Sequence, residues 1–219
     1  MKDIFKKNKI IIIATFSIFM FFLILWDVFR NEVTSYDNWA YSIFVEYLRN
    51  DTMTSIMKCI TFCGGAVCLM SIVILLLIFL KNKKDAFFSV INIVMIFLIN
   101  SLIKFIVQRP RPSGYNLITE SNYSFPSGHS MVSTAVYGFL IYLIYKYVKN
   151  NKLKYFLISL IFILIILICI SRIYLGVHYL SDTLAGFFFS IFYLMIIITL
   201  YYKIIKRGSK NDKEKTSKN

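Results

Sequence analysis

Residues 153–170 read LKYFLISLIFILIILICI, and this run decides the fold class. Its only charged side chain is Lys154, beside the first residue, and it contains neither glycine nor proline. A helix that crosses the hydrocarbon core of a bilayer needs about 20 predominantly apolar residues. The run comes close to this length and therefore predicts a helix that spans a membrane.

The rest of the chain repeats this pattern, in keeping with a composition that is 58% hydrophobic. The six predicted spans are Ile10–Phe29, Met53–Leu80, Ala86–Val107, His129–Val148, Leu153–Ile170 and Asp182–Ile205. The second is long enough to begin as a helix at the interface. We expect an all-α fold in which six transmembrane helices form a bundle.

The connection between the first two spans, Asn31–Asp51, mixes aromatic with charged residues. These residues are Trp39, Tyr41, Phe44 and Tyr47, with Asp37, Glu46 and Arg49 among them. The mixture predicts a short amphipathic helix that lies at the membrane interface. A loop packed on protein is the alternative.

The charge distribution predicts the orientation of the chain. Its net charge is +14, and most of the 25 Lys and Arg residues lie in the termini and in the second and fourth connections. These four segments share one side of a six-span bundle, and short basic loops are retained in the cytoplasm. Both termini are therefore predicted to be cytoplasmic, in a multi-pass protein of the cell membrane. The expected partners are membrane lipids and not a nucleic acid, because the basic residues lie beside the spans.

One domain is predicted, a membrane-embedded domain over residues 1–207. Residues 208–219 are polar and charged. Such a composition predicts a disordered basic tail on the cytoplasmic side.

Basic residues on the outer side are the exception to this orientation. They lie near the outer ends of the third and fifth spans, and they are Lys104, Arg109, Arg111 and Arg172. Charged groups close to the bilayer are costly and usually functional. Both histidines of the chain, His129 and His178, are predicted at the same face. Three segments distant in sequence are therefore expected to converge there, although Arg109 is expected to be a surface residue or a headgroup contact.

The pair His178 and Asp182 has the spacing of neighbours on one helical face. A carboxylate that holds one ring nitrogen of a histidine leaves the other nitrogen free to attack. His129, in a separate segment, is placed to protonate a leaving oxygen and then to deprotonate water. Two histidines could also bind a metal, but nearby carboxylates are few, and Glu120 and Asp37 have no obvious partners. The catalytic interpretation is therefore preferred.

The remaining residues of these segments suit an anion. Lys104, Arg111 and Arg172 supply three cations, and arginine grips phosphate oxygens with paired hydrogen bonds. Ser127 and Gly128 stand where the fourth span begins, and the start of a helix offers free N–H groups and the positive end of its dipole. Ser127 is equally suited to cap that helix. Together the segments predict a site for phosphoryl transfer that needs no metal or other cofactor.

The motifs that carry this chemistry resemble those of the type 2 phosphatidic acid phosphatase (PAP2) superfamily. The spacing is Lys-x6-Arg-Pro, then Pro-Ser-Gly-His, then Ser-Arg-x5-His-x3-Asp. The matching residues are Lys104, Arg111, Pro112, Pro126, Ser127, Gly128, His129, Ser171, Arg172, His178 and Asp182. Three motifs in this order are far more specific than a single Pro-Ser-Gly-His.

The resemblance implies a role for each residue. His178 would become phosphorylated, Asp182 would orient it and His129 would act as the general acid. The phosphate would be held by Lys104, Arg111, Ser127, Gly128 and Arg172. The family also contains soluble haloperoxidases that use vanadate, but the apolar spans argue against that branch.

The resemblance also implies an extracytoplasmic membrane phosphatase that acts on a lipid phosphate or pyrophosphate. The preferred substrate is undecaprenyl pyrophosphate, which would be converted to undecaprenyl phosphate. Phosphatidylglycerophosphate and phosphatidic acid are the alternative substrates. Two further possibilities remain open: a phosphotransferase with another acceptor, and a transporter that binds phosphorylated lipids without cleaving them.

Overall fold

A computed structural model describes residues 7–216 of the chain and the side chains of residues 8–203. The described secondary structure is helical, with a π-helical segment at Ser42–Tyr47 between the second and third α-helices. The α-helices are α1 Lys7–Arg30, α2 Ser35–Tyr41, α3 Asp51–Cys63, α4 Ala66–Phe79, α5 Lys83–Val107, α6 Gly128–Tyr147, α7 Asn151–Tyr174 and α8 Leu180–Thr216. The all-α prediction is confirmed.

Four helices, namely α1, α5, α7 and α8, are long and apolar enough to cross a membrane. Helices α3 and α4 meet this condition only as a pair, which raises the number of candidate spans to five. The protein is therefore a multi-pass membrane protein with four or five candidate spans among its described residues. The sequence predicts six, and the difference lies in α6.

Helix α6 lies among the other helices and contacts α5, α7 and α8. Half of its 20 residues are buried, and several of these are small or hydroxylated: Ser130, Ser133, Thr134 and Ala135. Small residues allow helices in a membrane to approach closely. A Cβ atom built on Gly138 of α6 would lie 2.4 Å from Cδ1 of Leu194 on α8. A helix enclosed by others needs no lipid-facing apolar surface, which explains its modest hydropathy.

The second predicted span, Met53–Leu80, is not a continuous helix. It is broken between α3 and α4 at Gly64 and Gly65, where the chain bends by 43°. A Cβ atom on Gly64 would lie 2.6 Å from Cγ2 of Ile168 in α7. Glycine therefore permits the close approach of the bend to α7, because a side chain there would have to displace Ile168.

The predicted helix between the first two spans is present as α2 and the π-helical segment. Thr34 caps α2 and forms a capping box with Asp37, each bonding the other's backbone N–H. Asp37 and Ala40 are buried and α2 contacts α7 and α8, whereas Trp39 is exposed. The helix is thus packed on protein, and its location at a membrane interface stays a prediction.

At the end of the bundle opposite α2, a buried carboxylate joins three helices. Asp85 of α5 accepts hydrogen bonds from Lys146 of α6 at 2.7 and 2.8 Å, and from the hydroxyl of Tyr201 on α8. An ion pair in a membrane must be satisfied internally, and this one fixes the relative positions of the helices.

Helix α8 continues to Thr216, beyond the predicted boundary between domain and tail at residues 207 and 208. Residues 217–219, and residues 1–6 at the other terminus, lie outside the described residues. The domain limits and the disorder of the tail stay predictions.

Candidate active site

The predicted catalytic segments meet at one end of the bundle. The loop between α5 and α6 passes across the ends of α7 and α8, and backbone hydrogen bonds hold it there. Leu117 N donates to Leu175 O at 3.0 Å, and Ser127 N donates to Asp182 O at 3.0 Å. Helix α5 ends at Val107, and the next residue, Gln108, has a left-handed conformation (φ 51°) that stops the helix. Residues far apart in sequence are thereby brought side by side.

His178 and Asp182 form a buried pair. Nδ1 of His178 lies 3.3 Å from Oδ2 of Asp182, and the same oxygen accepts hydrogen bonds from Tyr179 N at 2.9 Å and from the Ser124 hydroxyl. The two side chains are 2% and 0% exposed. His178 precedes α8, which begins at Leu180, so the pair forms at the start of a helix and not within one as expected.

The other ring nitrogen of His178 faces Arg111. Nη1 of Arg111 lies 3.0 Å from Nε2 of His178 and 2.8 Å from Val177 O. Because a guanidinium can only donate, Nε2 must carry the lone pair and Nδ1 the proton. Burial lowers the pKa of His178 well below its usual 6.5, although Asp182 opposes this effect. The ring is therefore neutral, with its unprotonated nitrogen toward the cations.

A carboxylate connects two of the predicted phosphate-binding residues. Glu120 forms an ion pair with Nη2 of Arg172 and another, at 3.7 Å, with Nη2 of Arg111. Burial raises the pKa of Glu120, but the two arginines outweigh it, so that the pKa lies below its usual value. Glu120 thus has partners that the sequence did not reveal, and the two arginines lie on either side of one carboxylate.

Arg172 is held by a residue of the bent span. Its side chain is 1% exposed, and Nη1 donates to Oγ1 of Thr61 on α3 at 2.7 Å. Its Nε is buried and finds no partner among the side chains and backbone described here. A buried N–H without a partner is costly, and this donor is available to a ligand.

Lys104 is near the site but is engaged with the loop. Its Nζ donates to Tyr123 O and, at 3.3 Å, to Ser124 O. It therefore supports the segment that carries Ser124, the residue hydrogen-bonded to Asp182. Contact between Lys104 and a phosphate stays a prediction.

The start of α6 provides Ser127, Gly128 and His129. The Ser127 hydroxyl accepts from Ser130 N at 3.4 Å, so it caps the helix. Gly128 lies against Asn100, whose Oδ1 would be 3.2 Å from a Cβ atom there. The ring of His129 lies beside the bend in the second span, 3.3 Å (Cδ2) from a Cβ atom built on Gly64. The broken span thus shapes the space around His129, which the sequence did not predict.

The expectation about one neighbouring residue, Arg109, is wrong. Arg109 is buried and 3% exposed, with an ion pair to Asp182 at 2.6 Å and another to Asp37 at 2.9 Å, so it is neither a surface residue nor a headgroup contact. Tyr179 stacks on the Arg109 guanidinium at 4.1 Å. Tyr174 is fully buried and its hydroxyl lies 3.0 Å from Thr54 Oγ1. Both tyrosines therefore pack within the site or its support.

An open cavity of about 500 Å³ lies over these residues and is lined by Arg111, Glu120, Asn122 and Tyr123, among others. Arg111 thus contacts both the cavity and His178. Within residues 8–203 there is no group of three or more His, Cys, Asp or Glu side chains arranged for a metal ion. The arginines in the lining of the cavity suit an anionic ligand, and Arg111 connects the cavity to His178, which does not itself line it.

Comparison with known proteins identifies this arrangement. The model of the PAP2 superfamily matches residues 85–206, which contain all three motifs. The chain belongs to the PAP2 superfamily. It is a membrane lipid phosphatase, a hydrolase of phosphoric monoesters.

Two curated relatives of this family differ in substrate. Phosphatidylglycerophosphatase B of Bacillus subtilis is 33% identical over 179 residues, covering 78% of this chain and 86% of the relative. Undecaprenyl-diphosphatase of Sulfolobus acidocaldarius is 27% identical over 151 residues, covering 65% and 68%.

A solved structure also matches the fold. The crystal structure of a transmembrane PAP2-type phosphatidylglycerolphosphate phosphatase from Bacillus subtilis superimposes with a TM-score of 0.80 at 26% identity, covering 87% of this chain and 96% of that one. The PAP2-like fold is therefore confirmed.

Proposed function

We propose that this lipid phosphatase cleaves its substrate through a phosphohistidine at His178, on the extracytoplasmic face of the membrane. The observation that carries the proposal is the orientation of the ring, with Nδ1 toward Asp182 and Nε2 toward Arg111. A lone pair that faces a cluster of cations is placed to attack an anionic phosphorus.

In the first step Nε2 of His178 attacks phosphorus and forms an N–P bond while the P–O bond to the lipid breaks. As the general acid, His129 gives a proton to the departing lipid oxygen. In the second step water attacks phosphorus, His129 takes a proton from it, the N–P bond breaks and inorganic phosphate leaves. Asp182 stabilises the positive charge that the ring gains when phosphorylated.

We propose that Lys104, Arg111, Ser127, Gly128 and Arg172 hold the phosphate. The unpartnered Nε of Arg172 supports this role, because a phosphate oxygen would satisfy it. The start of α6 would add backbone N–H groups and the positive end of its dipole. These donors replace the metal that many phosphatases use, so activity should persist in excess EDTA.

The topology is part of the proposal. We infer that α6 is a sixth span, since it lies among the membrane-spanning helices and is enclosed by them. With six spans both termini lie on one side of the membrane, which the basic loops and termini assign to the cytoplasm, and the loops around His178 would lie outside. The substrate would reach the open cavity beside Glu120 from the outer leaflet.

Phosphatidylglycerophosphate is the substrate we propose. The support is the similarity to phosphatidylglycerophosphatase B, which extends over most of both chains. Undecaprenyl pyrophosphate, preferred from the sequence, is the second candidate, supported by the more distant undecaprenyl-diphosphatase. The same attack on a terminal phosphorus would serve either lipid.

A panel of purified lipids tests the function and the substrate together. The protein in detergent with EDTA is given phosphatidylglycerophosphate, undecaprenyl pyrophosphate or phosphatidic acid, and released phosphate is measured, with His178→Ala as the control. We expect the highest kcat/KM for phosphatidylglycerophosphate. A higher value for another lipid would overturn the substrate, and lipid turnover by His178→Ala at the wild-type rate would overturn the mechanism. Labelled phosphate on another lipid or sugar would indicate a phosphotransferase, and binding without phosphate release a transporter.

A further inference from the structure

Arg109 lies between two buried carboxylates and uses all of its donors. Nη1 donates to Asp182 Oδ1 and to Ser181 Oγ, each at 2.6 Å. Nη2 donates to Asp37 Oδ2 at 2.9 Å, and both Nη2 and Nε donate to Glu32 O at 2.6 and 3.0 Å. Asp182 and Asp37 oppose the effect of burial and hold the pKa of Arg109 above its usual value. The guanidinium is therefore a fixed, fully charged element of the site.

The two oxygens of Asp182 have separate partners. Oδ1 accepts from Arg109, whereas Oδ2 accepts from Tyr179 N and the Ser124 hydroxyl and faces His178. A carboxylate can rotate about its bond to Cβ unless both oxygens are held. Arg109 holds the oxygen that does not face His178, so it limits the rotation of the one that does.

Asp37 in turn holds Arg109 and the start of α8. It accepts from Ser181 N and Ser181 Oγ, each at 2.8 Å, as well as from Arg109. Two carboxylates share one guanidinium, so the group keeps a net negative charge. A negative charge therefore remains beside His178. In an isolated Arg109–Asp182 pair, the arginine would largely neutralise that charge.

We propose that Arg109, anchored by Asp37 of α2, is a positioning residue that fixes the Asp182 carboxylate so that Oδ2 meets Nδ1 of His178. The proposal rests on the function proposed above and adds a residue at one of the six unspecified positions of the first motif. It also gives the short helix between the first two spans a part in catalysis. The alternative is that Arg109 only holds α2 against α8, a structural tie that stabilises the fold without affecting catalysis.

A matched pair of substitutions separates these accounts. Arg109→Lys keeps the charge but cannot reach both carboxylates in a planar fork. Arg30→Lys makes the same change at an exposed site, where Arg30 stacks on Trp26. Residues that orient metal ligands typically contribute about 10- to 100-fold, and we take the same range for a residue that orients Asp182. We expect Arg109→Lys to lower kcat by that factor, with KM and inhibition by orthovanadate changed less than about threefold, and Arg30→Lys to leave all three unchanged.

A second variant covers a failure of Arg109→Lys to fold. Asp37→Asn leaves Arg109 paired with Asp182 and is expected to lower kcat by about tenfold, at the lower end of the same range. Thermal unfolding is measured alongside. Wild-type kcat per folded molecule in both variants, with a lower melting temperature, would overturn the proposal in favour of the structural tie. So would a loss of kcat accompanied by an equal loss of orthovanadate affinity.

The Nδ1–H proton of His178 gives a readout that needs no turnover. In ¹⁵N-histidine-labelled protein its hydrogen bond to Asp182 should give a downfield proton signal, which Arg109→Lys weakens and Arg30→Lys retains. An unchanged signal in Arg109→Lys would overturn the positioning role even if the lipid assays fail. Absence of lipid turnover by the wild type, with the signal behaving as expected, would count against the proposed function alone.

Discussion

Nη1 of Arg111 lies 3.0 Å from Nε2 of His178, the ring nitrogen that we propose attacks phosphorus. In the resting protein the lone pair of the nucleophile is therefore occupied by a hydrogen bond. The same arginine lines the open cavity through which the substrate would arrive. A phosphate that draws the guanidinium toward itself would free Nε2 at the moment it is needed.

Arg111→Ala should consequently remove the hydrogen-bond donor to Nε2 of His178, which we also propose binds the phosphate. Removing one donor that stabilises transition-state charge costs about 100-fold or more in kcat. Arg111→Lys should recover only part of the loss, because an ammonium cannot form the paired hydrogen bonds of a guanidinium. Steady-state kinetics on the preferred lipid check this, with Arg30→Lys as the control. Wild-type kcat in Arg111→Ala would show that Arg111 is dispensable.

Glu120 should compete with phosphate for Arg111 and Arg172. Its carboxylate pairs with both guanidinium groups in the absence of substrate. Because a partly exposed ion pair contributes about 1 kcal/mol, Glu120→Gln should strengthen inhibition by inorganic phosphate about fivefold. Glu46→Gln, at an exposed position, should have no effect. Weaker inhibition in Glu120→Gln would mean that the carboxylate instead holds the two arginines in their binding positions.

His178 should remain neutral in moderately acidic solution, because burial holds its pKa well below 6.5. The chain has two histidines, so His129→Asn leaves a single ¹⁵N-histidine signal to follow from pH 8 to pH 5. We expect a neutral, Nδ1-protonated ring down to pH values well below 6.5. Titration of the ring at pH 6.5 or above would contradict the orientation described here.

The same shift predicts the direction of acid destabilisation. The folded pKa of His178 lies below the unfolded value of about 6.5, so the unfolded chain binds the additional proton. Its contribution to stability is complete above about pH 6.5 and decreases as the pH falls toward the folded pKa. For each pH unit in that window the loss is about 1.4 kcal/mol. Thermal melting of wild type and His178→Asn between pH 7 and pH 5 should converge as the pH falls, and parallel curves would contradict the shift.

Gly64→Ala should impair catalysis as well as stability. The added methyl group would overlap Cγ2 of Ile168 at 2.6 Å and press on the His129 ring at 3.3 Å. Overpacking of this kind costs about 1–3 kcal/mol. Gly138→Ala provides the control, because its methyl group would overlap Leu194 at 2.4 Å far from the site. Both variants should melt earlier, but only Gly64→Ala should lose kcat per folded molecule. Equal kcat per folded molecule in the two variants would show that the bend at Gly64 does not affect the function of His129.

The spacing of the motif residues is local and their chemistry is distinctive, so the sequence alone is enough to predict them as site residues. His178 and Asp182 are four residues apart, so a local pattern is enough to suggest their contact, although the pair forms at the start of α8 and not within a helix. Arg109 and Asp37 are 72 residues apart. Their pairing depends on where α2 packs, which no local pattern specifies. The sequence offers one cue to this pairing. Arg109 is an additional cation between Lys104 and Arg111, and Asp37 is an acidic residue in the first outer connection.

The sequence likewise predicts only those parts of the fold that a local pattern specifies. Long apolar runs identify α1, α5, α7 and α8 because lipid contact demands apolar surface. Helix α6 is enclosed by protein and does not need an apolar surface toward lipid. Its sequence therefore mixes apolar residues with small and hydroxylated ones. The break at Gly64 and Gly65 depends on the close approach of Ile168 and His129. Packing partners so distant in sequence cannot be read from a hydropathy pattern.

The central claim is that His178 carries the phosphoryl group. It is tested most directly by rapid mixing of the purified protein with ³²P-labelled phosphatidylglycerophosphate, quenching in alkali to preserve phosphohistidine, and mapping of the labelled peptide. The account predicts label on the peptide that contains His178, none in His178→Ala, and slower loss of label in His129→Ala, where water lacks its base. Label on another residue, or turnover by the wild type with no labelled protein at any time, would contradict it.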